Sequence, residues 1–315
     1  MTRRVATLLM ILAVLAAVAP WLAPYDPETQ HHNFMFAPPM TPRLVDAGAL
    51  RTPFVYPIAL ADRMAQRYEE DRGQTRSLPW FDDNSTEPVF LLGADSFGRD
   101  LLSRLLHGAR VSLSLALVSA IGALLLGAVI GGLAGYRGGW IDDVAMRAAD
   151  FVIVLPVIYV SLVLRALMPL VLPPATVFML MTGIFAFVGW PFVARGVRGI
   201  VASEREREYI VAARSLGASN WRILGRHLLP ACGGHLLVQA TLLLPAFILA
   251  EATLSYVGIG FPEHVATWGT MLIEAANPSA LTRFPWTLAP ALAIFLVVLF
   301  SNIIMRSDKI SERPI

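Results

Sequence analysis

Side chains able to do chemistry are sparse in this 315-residue chain, and each has a plain structural alternative. Glu251 is the one acid inside a long apolar run, with Ser255 one helical turn further on. An unpaired charge at a bilayer centre costs about 2.5–3.5 kcal/mol on insertion scales, so such a glutamate must face protein or a water-filled cavity. It either lies by a translocation path or pairs with backbone or a partner subunit. Asp95, Arg99 and Asp100 stand just ahead of another apolar run, where they fit an ion-pair network and equally a solvated charge cluster. His31-His32 has no third ligand at plausible spacing, so the pair reads as solvated loop histidines and no metal site is expected. The single cysteine, Cys232, excludes an internal disulfide framework and reads as a small buried apolar residue. No Gly-x-x-x-x-Gly-Lys-Ser/Thr loop and no His-Glu-x-x-His pattern occurs, so neither a phosphate cradle nor a helix-borne zinc site is encoded.

The elements that must position these residues are apolar helices. The chain is 56% apolar and 15% charged, against about a quarter charged in soluble domains, and mean hydropathy is +0.61. A helix needs about 20 mostly apolar residues to cross a hydrocarbon core. Six stretches come close: Val5–Ala23, Val111–Gly135, Ala148–Leu167, Thr176–Ala194, Leu236–Tyr256 and Pro285–Met305. They lack the polar faces of soluble core helices. The expected fold class is therefore an all-α membrane protein with six transmembrane helices. Val5–Ala23 competes with a signal-peptide reading, since Arg3-Arg4 precedes it and Ala17-Val18-Ala19 resembles a cleavage site; Pro20 and the run's length favour a retained helix. The net charge of +2 gives no footing for nucleic acid.

Short cytoplasmic loops carry excess Lys and Arg. Arg195, Arg198, Arg205, Arg207, Arg214, Arg222 and Arg226 follow the fourth span, which places that loop and both termini in the cytoplasm. Residues 24–110 then lie outside. Their start is proline-rich, which disfavours regular structure; Ala59–Glu70 reads as a short helix and Pro79–Pro88 as loop, with Asn84-Ser85-Thr86 a chance-level acceptor pattern. Gly122, Gly127, Gly131, Gly132 and Gly135 suit close packing of the second span on a neighbour.

Within the arginine-rich loop, Ile210, Val211, Ala213 and Leu216 fall near one helical face, and Gly217 permits a reversal. Ser219 or Asn220 can cap a second short helix presenting Trp221, Ile223, Leu224 and Leu228, which Pro230 would end. Two short helices meeting at a glycine make a knob for a partner's groove or, alternatively, an amphipathic helix on lipid headgroups.

Here the chain resembles a known family. Ala212-Ala213-Arg214-Ser215-Leu216-Gly217, with Trp221 and His227-Leu228-Leu229-Pro230, is similar to the EAA coupling loop of ABC importer permeases, with Val211 where the family has an acid. Leu92–Asp100 continuing to Arg110, Ala134–Asp150, and Glu251–Gly260 with Trp268-Gly269 resemble blocks of the dipeptide/oligopeptide/nickel importers, and within them the C-type (second) permease. That resemblance implies a type I importer permease fold and a peptide importer, with nickel or another small solute as the alternative cargo. It implies coupling through 212–217, Trp221, His227 and Pro230, and no catalytic residue. It also implies a second homologous permease, two ATP-binding subunits that hold ATP and Mg, an extracytoplasmic substrate-binding protein and surrounding lipid. Expected domains are a first span 1–23, a periplasmic segment 24–110 with an insertion at about 43–88, a five-helix core 111–305 containing the coupling loop 195–230, and a tail 306–315. An ion-coupled transporter would need ionisable residues in several spans, and a membrane-embedded enzyme would need paired groups there; Glu251 stands alone.

Overall fold

The computed structural model describes residues 2–46, 49–63, 66–80, 88–156, 159–160, 162–163 and 172–311. Four helices among them contain a stretch long and apolar enough to cross a membrane: Leu101–Arg137, Pro174–Glu204, Gly233–Tyr256 and Pro285–Ile303; a shorter apolar helix covers Leu9–Leu22. The third expected span is described as a helix over Gly139–Val154 and again at 159–160 and 162–163, and most of its second half, including Arg165, lies outside the described residues, as does Asn84-Ser85-Thr86. In order, the helices are α1 (Thr2–Val18), α2 (Leu101–Arg137), α3 (Gly139–Val154), α4 (Pro174–Glu204), α5 (Glu208–Ser215), α6 (Asn220–Ile223), α7 (Gly233–Tyr256), α8 (Trp268–Ala275), α9 (Pro278–Arg283) and α10 (Ala289–Ser311). The residues fall into two compact units, one of 1–13, 113–260 and 297–315, the other of 14–112 and 261–296.

The first unit is assembled by close helix approach. Among lipid-facing helices apolar burial gives little drive, so small residues that let backbones meet decide the contact. On α2, Gly127, Gly131 and Gly135 recur every four residues and so share a face. A Cβ on them would stand 2.4 Å from Val193 Cβ, 2.3 Å from the Ala194 carbonyl oxygen and 2.5 Å from that of Arg198. The α2–α4 crossing is thus backbone on backbone. On α4, Trp190 and Ala194 pack with Ala149 and Val152 of α3, and Phe185 stacks on Phe247 of α7 with centroids 5.3 Å apart.

The second unit departs from the all-α expectation. Residues 43–77 form five short strands: β1 (Arg43–Asp46), β2 (Ala49–Val55), β3 (Ile58–Asp62), β4 (Arg67–Glu70) and β5 (Arg76–Ser77). They pair antiparallel in the orders β1-β2-β5 and β3-β4. Proline does not prevent this, because the β1–β2 register slips between Arg43 and Val45, opposite the stretch that holds Pro53, and a bulge needs no ladder donor there. The helix expected at Ala59–Glu70 is instead the β3–β4 hairpin, in which Leu60 faces Tyr68; cross-strand pairing overrides local helix propensity. Val55 and Ile58 join Ala37, Met40, Leu78, Val89, Phe90 and Ala94 in a small core. His31 corrects another expectation. Only His32 is exposed; the His31 ring lies edge-on to Tyr25 and Phe90 at 6.1 and 5.7 Å, and burial lowers its pKa. Among the described residues no group of three metal-type ligands forms.

Candidate functional site

The loop after α4 folds into the expected pair of short helices. α5 ends in a Schellman motif: the Ala218 amide donates to the Ala213 carbonyl at 3.1 Å and the Gly217 amide to that of Arg214 at 3.0 Å. Gly217 has φ +80°, a left-handed conformation that a Cβ would strain. Ser219 caps α6 by accepting the Arg222 amide at 3.4 Å. Two expectations fail. Ile223, Leu224 and Leu228 are not presented but buried, with Ile210, so the face offered outward is Leu216 (89% exposed), Trp221 (69%) and Val211 (54%). Pro230 does not end the segment. The chain passes through a π turn, Leu224–Leu228, into the short turn Leu229–Ala231, whose first positions need no helical amide from Pro230.

Residues that the loop's own pattern does not reveal hold the knob to the end of α2. Tyr136 donates its hydroxyl to Asn220 Oδ1 at 2.8 Å, and Arg214 lies 5.8 Å over the Tyr136 ring. Arg205 Nη1 donates to the carbonyls of Gly135 at 3.0 Å and Tyr136 at 3.3 Å. Tyr209 donates to Glu204 Oε2 at 2.8 Å, and its ring stands 6.4 Å from that of His227. Gly138 and Gly139, at φ +66° and +57°, turn the chain after Tyr136 into α3. Asp142 in the first turn of α3 then accepts Arg198 Nε at 2.9 Å, and Arg195 pairs with Asp150.

In the second unit Asp95, Arg99 and Asp100 form a buried network and not a solvated cluster, being 1%, 5% and 2% exposed. Arg99 Nε donates to Asp95 Oδ2 at 2.6 Å, and Arg104 Nε lies 3.5 Å from the same oxygen. The amides of Phe97 and Arg99 donate to Asp95 Oδ1 at 2.9 and 2.8 Å. Arg99 Nη2 is 3.6 Å from Glu274 Oε1, which also accepts the Ser96 hydroxyl at 2.7 Å. Asp100 caps α2, accepting the Ser103 amide and hydroxyl at 2.8 and 2.6 Å. Burial pushes its pKa up to about 6 against these hydrogen bonds, and burial followed by the nearby Asp95 charge raises that of Glu274. Ser103 and Arg104 stand in the quoted sequence block, but Glu274 is 178 residues from Ser96 and no local pattern joins them.

Glu251 is fully buried in the first unit and accepts the Ser255 hydroxyl at 2.9 Å. Below it α7 closes on a second Schellman turn, with Gly258 at φ +81° and the Ile259 amide donating to Leu254 at 2.9 Å.

The chain is similar to known proteins. The family model "Binding-protein-dependent transport system inner membrane component" matches residues 102–307, and "N-terminal TM domain of oligopeptide transport permease C" matches residues 6–39. The Di/tripeptide transport system permease protein DppC of Pseudomonas aeruginosa is 33% identical over 94% of this chain and 82% of its own length. The Oligopeptide transport system permease protein OppC of Bacillus subtilis is 39% identical, over 62% of this chain and 62% of its own length. The solved inward-facing MetNI methionine ABC transporter aligns with 64% of this chain and 95% of its own at 19% identity, with a TM-score of 0.46. With a family model spanning 102–307 and a relative matched along nearly the whole sequence, this multi-pass chain belongs to the inner membrane components of binding-protein-dependent transport systems.

Proposed function

We propose that the chain is a permease subunit of an ATP-driven peptide importer, and that its 204–230 knob receives the stroke of an ATPase partner. The observation that carries this is the exposed Leu216–Trp221 face, preset by Gly217 and fastened to α2 through Tyr136 and Arg205. A free amphipathic lipid anchor needs no such fastening. Peptide cargo is inferred from the named relatives, a di/tripeptide permease and an oligopeptide permease. In this reading the knob and both termini are cytoplasmic, 24–110 is periplasmic, and a second permease completes the path. Two ATPase subunits hold ATP and Mg, and a substrate-binding protein delivers the ligand. The strands of 43–77 give the insertion a folded surface suited to meeting that protein. Asp95, Arg99 and Asp100 stiffen the outer mouth. Glu251 and Ser255, buried against each other, support a packing role over a path-lining one.

ATP-driven closure of the partners would displace the knob and, through Tyr136 and Arg205, the end of α2. A photo-crosslinking residue placed at Leu216 in the assembled importer tests this. Capture of an ATPase subunit supports the reading, and capture of lipid alone overturns it.

A further inference from the structure

The strand-bearing part of the second unit encloses more than its small core. Between the turn 32–34, β3 and the segment 71–76 lies a cavity of about 370 Å³, within the range of small-molecule sites. Hydrogen bonds fix its walls. The Asp71 amide donates to the Pro57 carbonyl at 2.8 Å, the Gly73 amide to Asp71 Oδ1 at 2.9 Å, and the Tyr68 hydroxyl to the Met35 carbonyl at 2.7 Å. Phe34 and Ile58 give it an apolar side, and Ile58 belongs to the buried core. Arg63, Asp71 and Arg76 line it as well. Among the described residues Arg63 and Asp71 form no ion pair, although both border one cavity of this size.

Opposite charges that line a cavity without meeting suit a ligand that carries both. A cavity of this volume is about 7 Å across, the reach of two extended residues at roughly 3.5 Å each. We propose that it takes a short zwitterionic peptide, with the terminal carboxylate on the Arg63 and Arg76 guanidiniums, the terminal ammonium on Asp71 and the side chains against Phe34 and Ile58. A guanidinium fork matches a carboxylate bidentately. Asp71 offers Oδ2 to the ammonium while Oδ1 holds the Gly73 amide. The ligand is a peptide, rather than another zwitterion, on the reading of this chain as part of a peptide importer. The site goes beyond that reading, because it puts a cargo contact on the permease's own inserted strands.

The test is equilibrium binding of alanyl-alanine to the assembled transporter in nanodiscs, without binding protein or ATP. The wild type should bind it saturably. Acetylating the ammonium or amidating the carboxylate should each weaken binding about tenfold, the order of one charge-assisted contact. Arg63→Gln should shrink the penalty of amidation and leave that of acetylation. Asp71→Asn, which keeps the acceptor for the Gly73 amide, should abolish the penalty of acetylation and leave that of amidation. Both side chains are exposed, so neither change disturbs the core. Binding that is absent, indifferent to capping or unchanged in both variants would overturn the proposal. Uptake of the same dipeptide with the binding protein present is measured alongside. Uptake without this binding overturns the site alone, and this binding without uptake overturns the peptide-importer reading alone.

Discussion

Gly131→Ala isolates the α2–α4 contact. The new Cβ would lie 2.3 Å from the Ala194 carbonyl oxygen and 2.8 Å from Ala194 Cα, whereas unstrained carbon contacts begin at about 3.5 Å. Both obstacles are backbone, so no side chain can swing away. The helices must part by roughly an ångström, which also loosens the matched approaches at Gly127 and Gly135 on the same face. Overpacking of this kind costs about 1–3 kcal/mol. Alanine recovers about 1 kcal/mol of helix propensity, leaving a net loss of up to about 2 kcal/mol. Gly199 on α4 supplies the control, because a Cβ there meets nothing within 4 Å. Gly199→Ala should keep only the propensity gain and stabilise by up to about 1 kcal/mol. At about 2–4 °C per kcal/mol for a chain of this size, the two variants should differ by about 2–12 °C in thermal midpoint in the same detergent. Equal midpoints, or a more stable Gly131→Ala, would refute the backbone-contact account.

Gly217→Val adds about 1–2 kcal/mol of left-handed strain in open space, so the chain should insert normally yet lose transport and ATPase co-purification; undiminished association would favour a lipid-surface role. Arg99→Ala leaves Asp95 with only the 3.5 Å Arg104 contact and should cost about 3 kcal/mol in unfolding measurements, against about 0–1 kcal/mol for the half-exposed Arg198→Ala. In the folded chain Asp100 binds its proton more tightly than in the unfolded chain, so its contribution is full below about pH 4 and is lost as pH rises through about 6. Asp100→Asn should therefore raise the thermal midpoint at neutral pH and flatten that slope; an unchanged slope would contradict the assignment. In a Cys232→Ala background, a cysteine at Gln74 should react with an impermeant maleimide in intact cells and one at Arg222 should not; the reverse would invert the topology.

What the sequence disclosed follows from how local each cause is. The Gly217 reversal and the Ser219 cap are set by residues within five positions, and both were legible. The glycine face of α2 was legible as a spacing, though its partner was not. α2 begins at Leu101, ten residues before the apolar run at Val111, because its first turns carry Arg104 and Arg110 and hydropathy stops at charge. The direction of the knob's apolar residues is not legible in the sequence, for a related reason. Periodicity shows that Ile223, Leu224 and Leu228 share a face, but only tertiary packing decides whether that face turns inward. The β3–β4 hairpin, the Tyr136–Asn220 bond and the Ser96–Glu274 bond depend on pairings that no local pattern encodes.

The two units obtain specificity by different physical means, and the difference bears on which features serve function. Among apolar helices the contact is fixed by missing atoms, and a glycine face costs nothing that lipid could recover. The second unit has only a small apolar core, yet it buries four charged-type side chains, Asp95, Arg99, Asp100 and Arg104, around α2's first turn. Buried ion pairs give little net stability over apolar replacements of equal volume. Stability alone therefore does not account for enclosing these charges. Arg99 is accounted for by Asp95 and Glu274, since removing it leaves Asp95 only the 3.5 Å contact to Arg104, which is Arg104's own ion pair. Asp100 is the remainder. A serine or asparagine would cap α2 as well as aspartate does, and would do so without a desolvated charge. What the carboxylate adds at that position is a stronger acceptor for the Ser103 amide and hydroxyl, held against the burial that pushes its pKa up to about 6.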